Sequence, residues 1–158
     1  MISVLENIDT KKRMLQACID RLQAYSYELK AKMKNSIQKD RAIKQASNEN
    51  IGLQSGAMDN LELLEIEFNL DNAVKDMRIL KYLLKTQEEE HDKVGLGAVV
   101  ITHRNTFFVS ADLQRFDLEG EKFIAISNEC PLFKSMRGKK RGERFMHKGL
   151  SYQILDIY

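Results

Sequence analysis

Proline occurs once, tryptophan not at all and cysteine twice in these 158 residues. With Pro131 the single proline, no helix upstream of it meets a proline break. Glycine is scarce there too: only Gly52 and Gly56 precede residue 94, while Gly95, Gly97, Gly120, Gly138, Gly142 and Gly149 follow it. Punctuation confined to the C-terminal part predicts a change of architecture near residue 94. No apolar run approaches the roughly 20 residues needed to cross a bilayer, which excludes a transmembrane helix. The opening MISVLENIDTKKR shows no basic start followed by an apolar block, so the expected location is the cytoplasm. Cys18 and Cys130 lie far apart and share no metal-ligand spacing with His91, His103 or His147, so neither a disulfide framework nor a zinc site is expected. A chain this short holds one domain or two small units and excludes a large multidomain enzyme.

What the chain does have is charge, unevenly placed. Charged residues make up 30%, yet the net charge is only +2. From Thr10 to Ser47 ten Lys/Arg face Asp20, Glu28 and Asp40, a local balance of +7. From Asp59 to Asp92 ten acids face Lys75, Arg78, Lys81 and Lys85, a balance of −6. Two adjacent segments of opposite sign predict two arms lying against each other. Apolar spacing agrees. Leu15, Ile19, Leu22, Leu29 and Met33, with Ser26 filling the remaining position, advance by alternating fours and threes, as do Leu63, Ile66, Leu70, Ala73, Met77, Leu80 and Leu84. Each arm therefore reads as a helix with one apolar stripe. The turn-forming stretch Asn48–Gly56 between them is short enough to return the second helix antiparallel to the first, giving a hairpin on the order of 50 Å long. Residues 1–93 are assigned to this coiled-coil hairpin, with its tip near 48–58.

Beyond Lys93 the period becomes that of strands, expected at Ala98–Thr102, Thr106–Ala111, Lys122–Ser127, Glu143–Met146 and Ser151–Ile157. Pro131–Met136 reads as one short helix with proline in its first turn. Residues 94–158 thus form a small, mainly antiparallel β unit, and the fold class is α+β. So small a unit is marginal alone, which predicts that it packs on the base of the hairpin.

Convergent chemistry is sparse. There is no Gly-x-Ser-x-Gly, HExxH, phosphate-cradling glycine loop or CxxC. Gly95-Leu96-Gly97 leads into a strand, not a helix, and reads as a hinge and strand start. The acids of the second arm read as solvated helix face or partners of the basic arm, and the three histidines as isolated. The clearest surface feature is the run Lys134, Arg137, Lys139, Lys140, Arg141, Arg144 and Lys148, opposed only by Glu143. It is either a solvated turn or a patch for nucleic acid or an acidic protein surface. Phe133, Phe145 and Tyr152 nearby fit core positions better than a stacking platform. At the hairpin tip a pair of carboxylates could hold a hard divalent cation, and the candidates are Glu49 and Asp59; Asp59 fits equally as a helix cap, with Glu62 three residues on.

A charged helical hairpin followed by Ile126-Ser127-Asn128-Glu129-Cys130-Pro131, then Gly138-Lys139-Lys140-Arg141-Gly142-Glu143 and the strand Tyr152–Ile157, resembles the GreA/GreB transcript-cleavage (transcription elongation) factor family, as a divergent Gre-like member. The motif match covers Val94–Tyr158; the hairpin matches in architecture and length. The resemblance implies an FKBP-like C-terminal domain that docks on bacterial RNA polymerase at the rim of its secondary channel, with Glu129, Cys130 and Pro131 carried over as the polymerase-binding positions. Cys130 stands where the family usually has serine.

At the tip the family places two acids in an Asp-x-x-Glu-Asn element that helps hold the polymerase's second Mg²⁺ and activates water for cleavage of backtracked RNA. Matching Glu49-Asn50 to its Glu-Asn puts Ala46 at the partner acid, whereas matching Ile51–Gly56 to the tip of the divergent group puts Ile51 and Gln54 at both acid positions. Either register leaves at most one carboxylate, too few to organise a hydrated divalent ion. The expectation is a monomeric secondary-channel regulator that modulates elongation with cleavage stimulation weak or absent, meets the RNA 3′ end only indirectly and has no membrane partner. It is not itself an enzyme and has no intrinsic cofactor, any Mg²⁺ being shared with the polymerase. Two alternatives stand beside it: an active cleavage factor using Glu49 and Asp59, and a nucleic-acid or protein adaptor using Lys134, Arg137, Lys139, Lys140, Arg141 and Arg144.

Overall fold

The computed structural model describes residues 4–46 and 56–158, with side chains throughout except at 43–46 and 56–60. The fold is α+β. Two long helices, α1 (Val4–Ala46) and α2 (Gly56–Lys85), precede the strands β1 (Val99–Thr102), β2 (Thr106–Ser110), β3 (Gln114–Leu118) and β4 (Glu121–Ser127). The helix α3 (Pro131–Met136) and the strands β5 (Arg144–His147) and β6 (Leu150–Ile157) complete the chain. Gly56, Ala57 and Met58, read in the sequence as part of the turn, already belong to α2.

The chain divides into two compact units, Leu22–Lys75 and Met1–Arg21 with Asp76–Tyr158. In the first, the apolar stripes account for the helices. Leu22, Leu29, Ile66 and Ala73 are buried, Met33, Leu63 and Leu70 partly so. Ser26 is accommodated by donating its hydroxyl to Leu22 O at 2.9 Å, within its own helix. Of the two readings of the α2 acids, solvated face or partners of the basic arm, the described side chains favour the first. Among the described side chains no ion pair within 4.0 Å joins a cation of α1 to an acid of α2. The seam is apolar, and its long charged neighbours gain little in water from surrendering rotamer freedom to an exposed pair.

In the second unit six strands form one mixed sheet in the order β3-β4-β2-β1-β6-β5. All neighbours are antiparallel except β2 and β4, which run parallel with Phe107 beside Ile124 and Val109 beside Ile126. That parallel pair qualifies the antiparallel reading, because residues 111–120, which include β3, separate the two strands and return the chain to the same direction. β3 itself was missed. Gln-Arg-Phe-Asp-Leu buries only Phe116, so an edge strand with one buried residue looks like loop in the sequence.

Alternation gives the sheet two faces. Val100, Phe107, Val109, Tyr152 and Ile154 point to one, where Phe133 and Met136 of α3 cover them. Val99, Phe108, Phe123 and Phe116 point to the other. There the base of α1 reaches them: the Arg21 guanidinium lies 3.5 Å above the Phe116 ring, and Cys18 is fully buried. Leu83 of α2 approaches Gly97 so closely that a Cβ there would stand 3.0 Å from its Cδ2. The β unit thus packs on the helix base, as its small size requires. Gly97, at φ +89°, donates its N–H to Val109 O and turns the chain into β1.

Candidate docking surface

β4 ends at Ser127, and the next three residues form a turn held by short-range bonds. Ser127 Oγ accepts from Glu129 N–H at 3.2 Å, and Ser127 O accepts from Cys130 N–H at 3.4 Å. Cys130 then caps α3. Its backbone is extended at φ −74°, ψ 152°, and its Sγ accepts from Phe133 N–H at 3.4 Å, the position an N-cap hydroxyl would take. Pro131 follows in the first turn, where its missing N–H costs nothing and its fixed φ suits the helix. Below the surface Phe133 and Met136 anchor α3 in the core. Asn128, Glu129 and Pro131 are left exposed on a turn of fixed shape.

Of the three positions carried over by resemblance, Glu129 and Pro131 therefore face solvent, while Cys130 does the work of a cap. Glu129 has acidic company that sequence reasoning missed. The carboxyl of Asp76, on α2, is held above its ordinary range by burial first and then by the negative charges of Asp112 and Glu129. Asp76, Asp112 and Glu129 lie far apart in sequence, and only tertiary packing brings their fields together. No local signal could have revealed it. Among the described residues no group of three His, Cys, Asp or Glu is arranged to hold a metal, so the effect of this trio is electrostatic.

The basic run follows α3 immediately. Arg137 N–H closes the helix onto Phe133 O at 2.8 Å, and Gly138 N–H and Val94 N–H bond across to Val94 O and Lys139 O. Lys140 N–H donates to the carboxylate of Glu143 at 3.1 Å, so the one acid of the run is engaged by backbone. Lys134, Arg137, Lys140, Arg141, Arg144 and Lys148 are exposed, Lys139 is half-buried, and among the described residues none of them forms an ion pair. The aromatic residues of this region are spoken for. Phe145 and Tyr152 stack on each other at 4.9 Å, both buried, and Phe133 is in the core. The patch offers charge without a stacking platform.

Glu49 lies outside the described residues, as do Ile51, Gln54 and the side chain of Asp59, whose backbone belongs to α2. The histidines are dispersed: His103 Nδ1 accepts from Gln153 N–H at 3.0 Å, while burial lowers the pKa of His91. Both cysteines are free thiols.

No family model matches this chain, and no curated protein does. Among solved structures, one of the transcription factor Gfh1 is similar at 16% identity and a TM-score of 0.33, covering 89% of this chain and 92% of that one. Another, a crystal structure of GreA factor homolog 1 (Gfh1) of Thermus thermophilus, is similar at 15% identity and a TM-score of 0.32, covering 89% of this chain and 94% of that one.

Proposed function

We propose that this chain is a Gre-like regulator that docks on bacterial RNA polymerase at the secondary channel, with cleavage stimulation weak or absent. The observation carrying this reading is the Ser127–Pro131 turn. It is the segment that resembles the family's polymerase contact, and its Glu129 and Pro131 stand exposed at the start of a helix anchored by Phe133 and Met136. A partner can meet these residues without rearrangement, so little ordering entropy opposes binding. The weakness of cleavage rests on the tip, where either register of the family element leaves at most one acid. Here the chain acts by occupying the channel and altering nucleotide entry, pausing or access by other factors.

The test is association with core RNA polymerase at low-micromolar concentration and low salt. Wild type binds, and the Glu129→Lys, Pro131→Ala double variant, with unchanged circular dichroism, binds at least about tenfold more weakly, equivalent to about 1.4 kcal/mol. No association of the wild type overturns the reading.

A second reading, a nucleic-acid adaptor, draws on the absence of any ion pair among the described cations of the basic run. It requires salt-sensitive binding to free RNA or DNA that disappears when Lys139, Lys140 and Arg141 are neutralised. Polymerase binding that survives the same neutralisation decides for the first reading.

A further inference from the structure

A cavity of about 510 Å³ opens at one end of the sheet, lined by the β1–β2 turn and by β3 and β4. Register decides what it presents. Arg115 pairs with Ile124 and Asp117 with Lys122, so these four side chains share one face of the sheet, while the stacked pair Phe116 and Phe123 belongs to the other. Arg104 joins them from the β1–β2 turn.

Three cations and one acid line the cavity, a net balance of +2, and the acid also serves the local turn. Asp117 Oδ1 accepts from Gly120 N–H at 3.0 Å to close the β3–β4 turn. Arg115 and Lys122 form no ion pair among the described residues. Arg104 is held in place by its Nε–H donating to Ser151 O at 2.8 Å, with the guanidinium 5.8 Å from the centre of the Tyr152 ring. Among the described residues its two terminal nitrogens form no hydrogen bond or ion pair. The turn that carries it is rigid. Thr102 Oγ1 donates to Asn105 O at 2.7 Å and accepts from the N–H groups of Arg104 and Asn105. A tethered guanidinium and two further cations lining one cavity, in excess over its single carboxylate, are suited to phosphate oxygens. Ile124 adds an apolar surface, and the volume falls within the roughly 300–1,000 Å³ of small-molecule sites.

The geometry points to a binding site for a small organophosphate of mononucleotide size, its phosphate held by Arg104, Arg115 and Lys122 and its body against Ile124. The site is separate from the docking turn and does not depend on the polymerase reading.

Titration of the full chain by calorimetry and by amide chemical shifts tests it, with AMP and inorganic phosphate as separate probes at about 0.15 M ionic strength. AMP is expected to bind one-to-one with a Kd below about 1 mM, more tightly than inorganic phosphate, shifting amides of β3, β4 and the β1–β2 turn. Arg115→Ala with Lys122→Ala weakens this at least tenfold. Both residues are exposed, so the variant retains the fold. Neutralising Lys139, Lys140 and Arg141 leaves the affinity unchanged. Absence of saturation with AMP, equal affinity for the two anions, or equal loss in both variants overturns the assignment.

Discussion

The guanidinium of Arg21 sits 3.5 Å above the ring of Phe116, and from there its Nη1 donates to the carbonyls of Leu113 and Arg115 at 2.8 and 2.7 Å. One side chain of α1 thus bridges to the backbone of an edge strand while covering that strand's one buried residue. Arg21→Ala removes two charge-assisted hydrogen bonds and the ring contact, and about 2–3 kcal/mol of stability is expected to go with them. Arg21→Lys recovers less than half, because an ammonium is a compact charge that cannot lie flat on the ring. Urea denaturation measures the loss, and faster amide exchange confined to β3 locates it. Equal stability of wild type and alanine variant would show that the contact is incidental.

Arg21 also marks where the sequence stopped being informative. The heptad steps of α1 and α2 are local periodicities, legible because one face of each helix is buried, while β1 and β2, buried on both faces, are legible as short apolar runs rich in β-branched and aromatic residues. Pro131 and the cap before it likewise announce α3. By contrast, β3 owes its place to Arg21 and to Phe123 across the ladder, residues well outside its own five. The parallel pairing of β2 with β4 is invisible for the same reason. At the docking surface, the exposure of Glu129 and Pro131 follows from a local turn, while the field of Asp76 and Asp112 depends on tertiary packing.

The two faces of α2 differ in energy although both carry large apolar residues. Ile66 is 5% exposed, whereas Phe68, two positions on, is 66% exposed. Ile66→Ala is expected to cost about 2–4 kcal/mol through lost burial and the cavity left behind, and Phe68→Ala to stay within about 0.5 kcal/mol. Paired chemical denaturation curves, read by helix circular dichroism, provide the comparison. A loss at Phe68 as large as that at Ile66 would contradict the exposure of Phe68.

The two thiols should separate cleanly in reactivity. Cys18 is fully buried, and burial pushes its thiol up to about 12, the Ser110 contact and the Arg21 charge only partly offsetting it. Cys130 is half-buried at the head of α3. A thiol reagent at neutral pH is expected to modify one group per native chain quickly and the second only on unfolding. Cys130→Ser removes the fast phase and, since a hydroxyl is the better acceptor for Phe133 N–H, leaves stability equal or higher. Cys130→Ala costs about 0.5–1 kcal/mol. Two fast thiols in the native protein would contradict the burial of Cys18.

Among the described residues Lys11 is a buried cation, 4% exposed, with no carboxylate within 4.0 Å and its ammonium 5.8 Å from the centre of the Tyr158 ring. Burial lowers its pKa to about 8, with Glu89 pulling weakly the other way. In the unfolded chain the ordinary value of 10.5 returns, so between these values the unfolded state binds more protons and stability rises with pH. Two groups oppose this higher up. Burial raises Cys18 from 9.0 and Tyr158 from 10.0, each to about 12, so each costs stability once its unfolded form ionises. His91, lowered from 6.5, has finished titrating below the window. Between about pH 8 and 9 Lys11 therefore dominates the slope, with Cys18 beginning to oppose it as pH nears 9. The native protein should gain stability across that interval, and Lys11→Met should be more stable at pH 7 by roughly 2 kcal/mol and should fall slightly from pH 8 to 9 as Cys18 of the unfolded chain ionises. Denaturation midpoints at half-unit pH steps resolve the two curves; parallel curves for both proteins would mean that Lys11 keeps its charge in the fold.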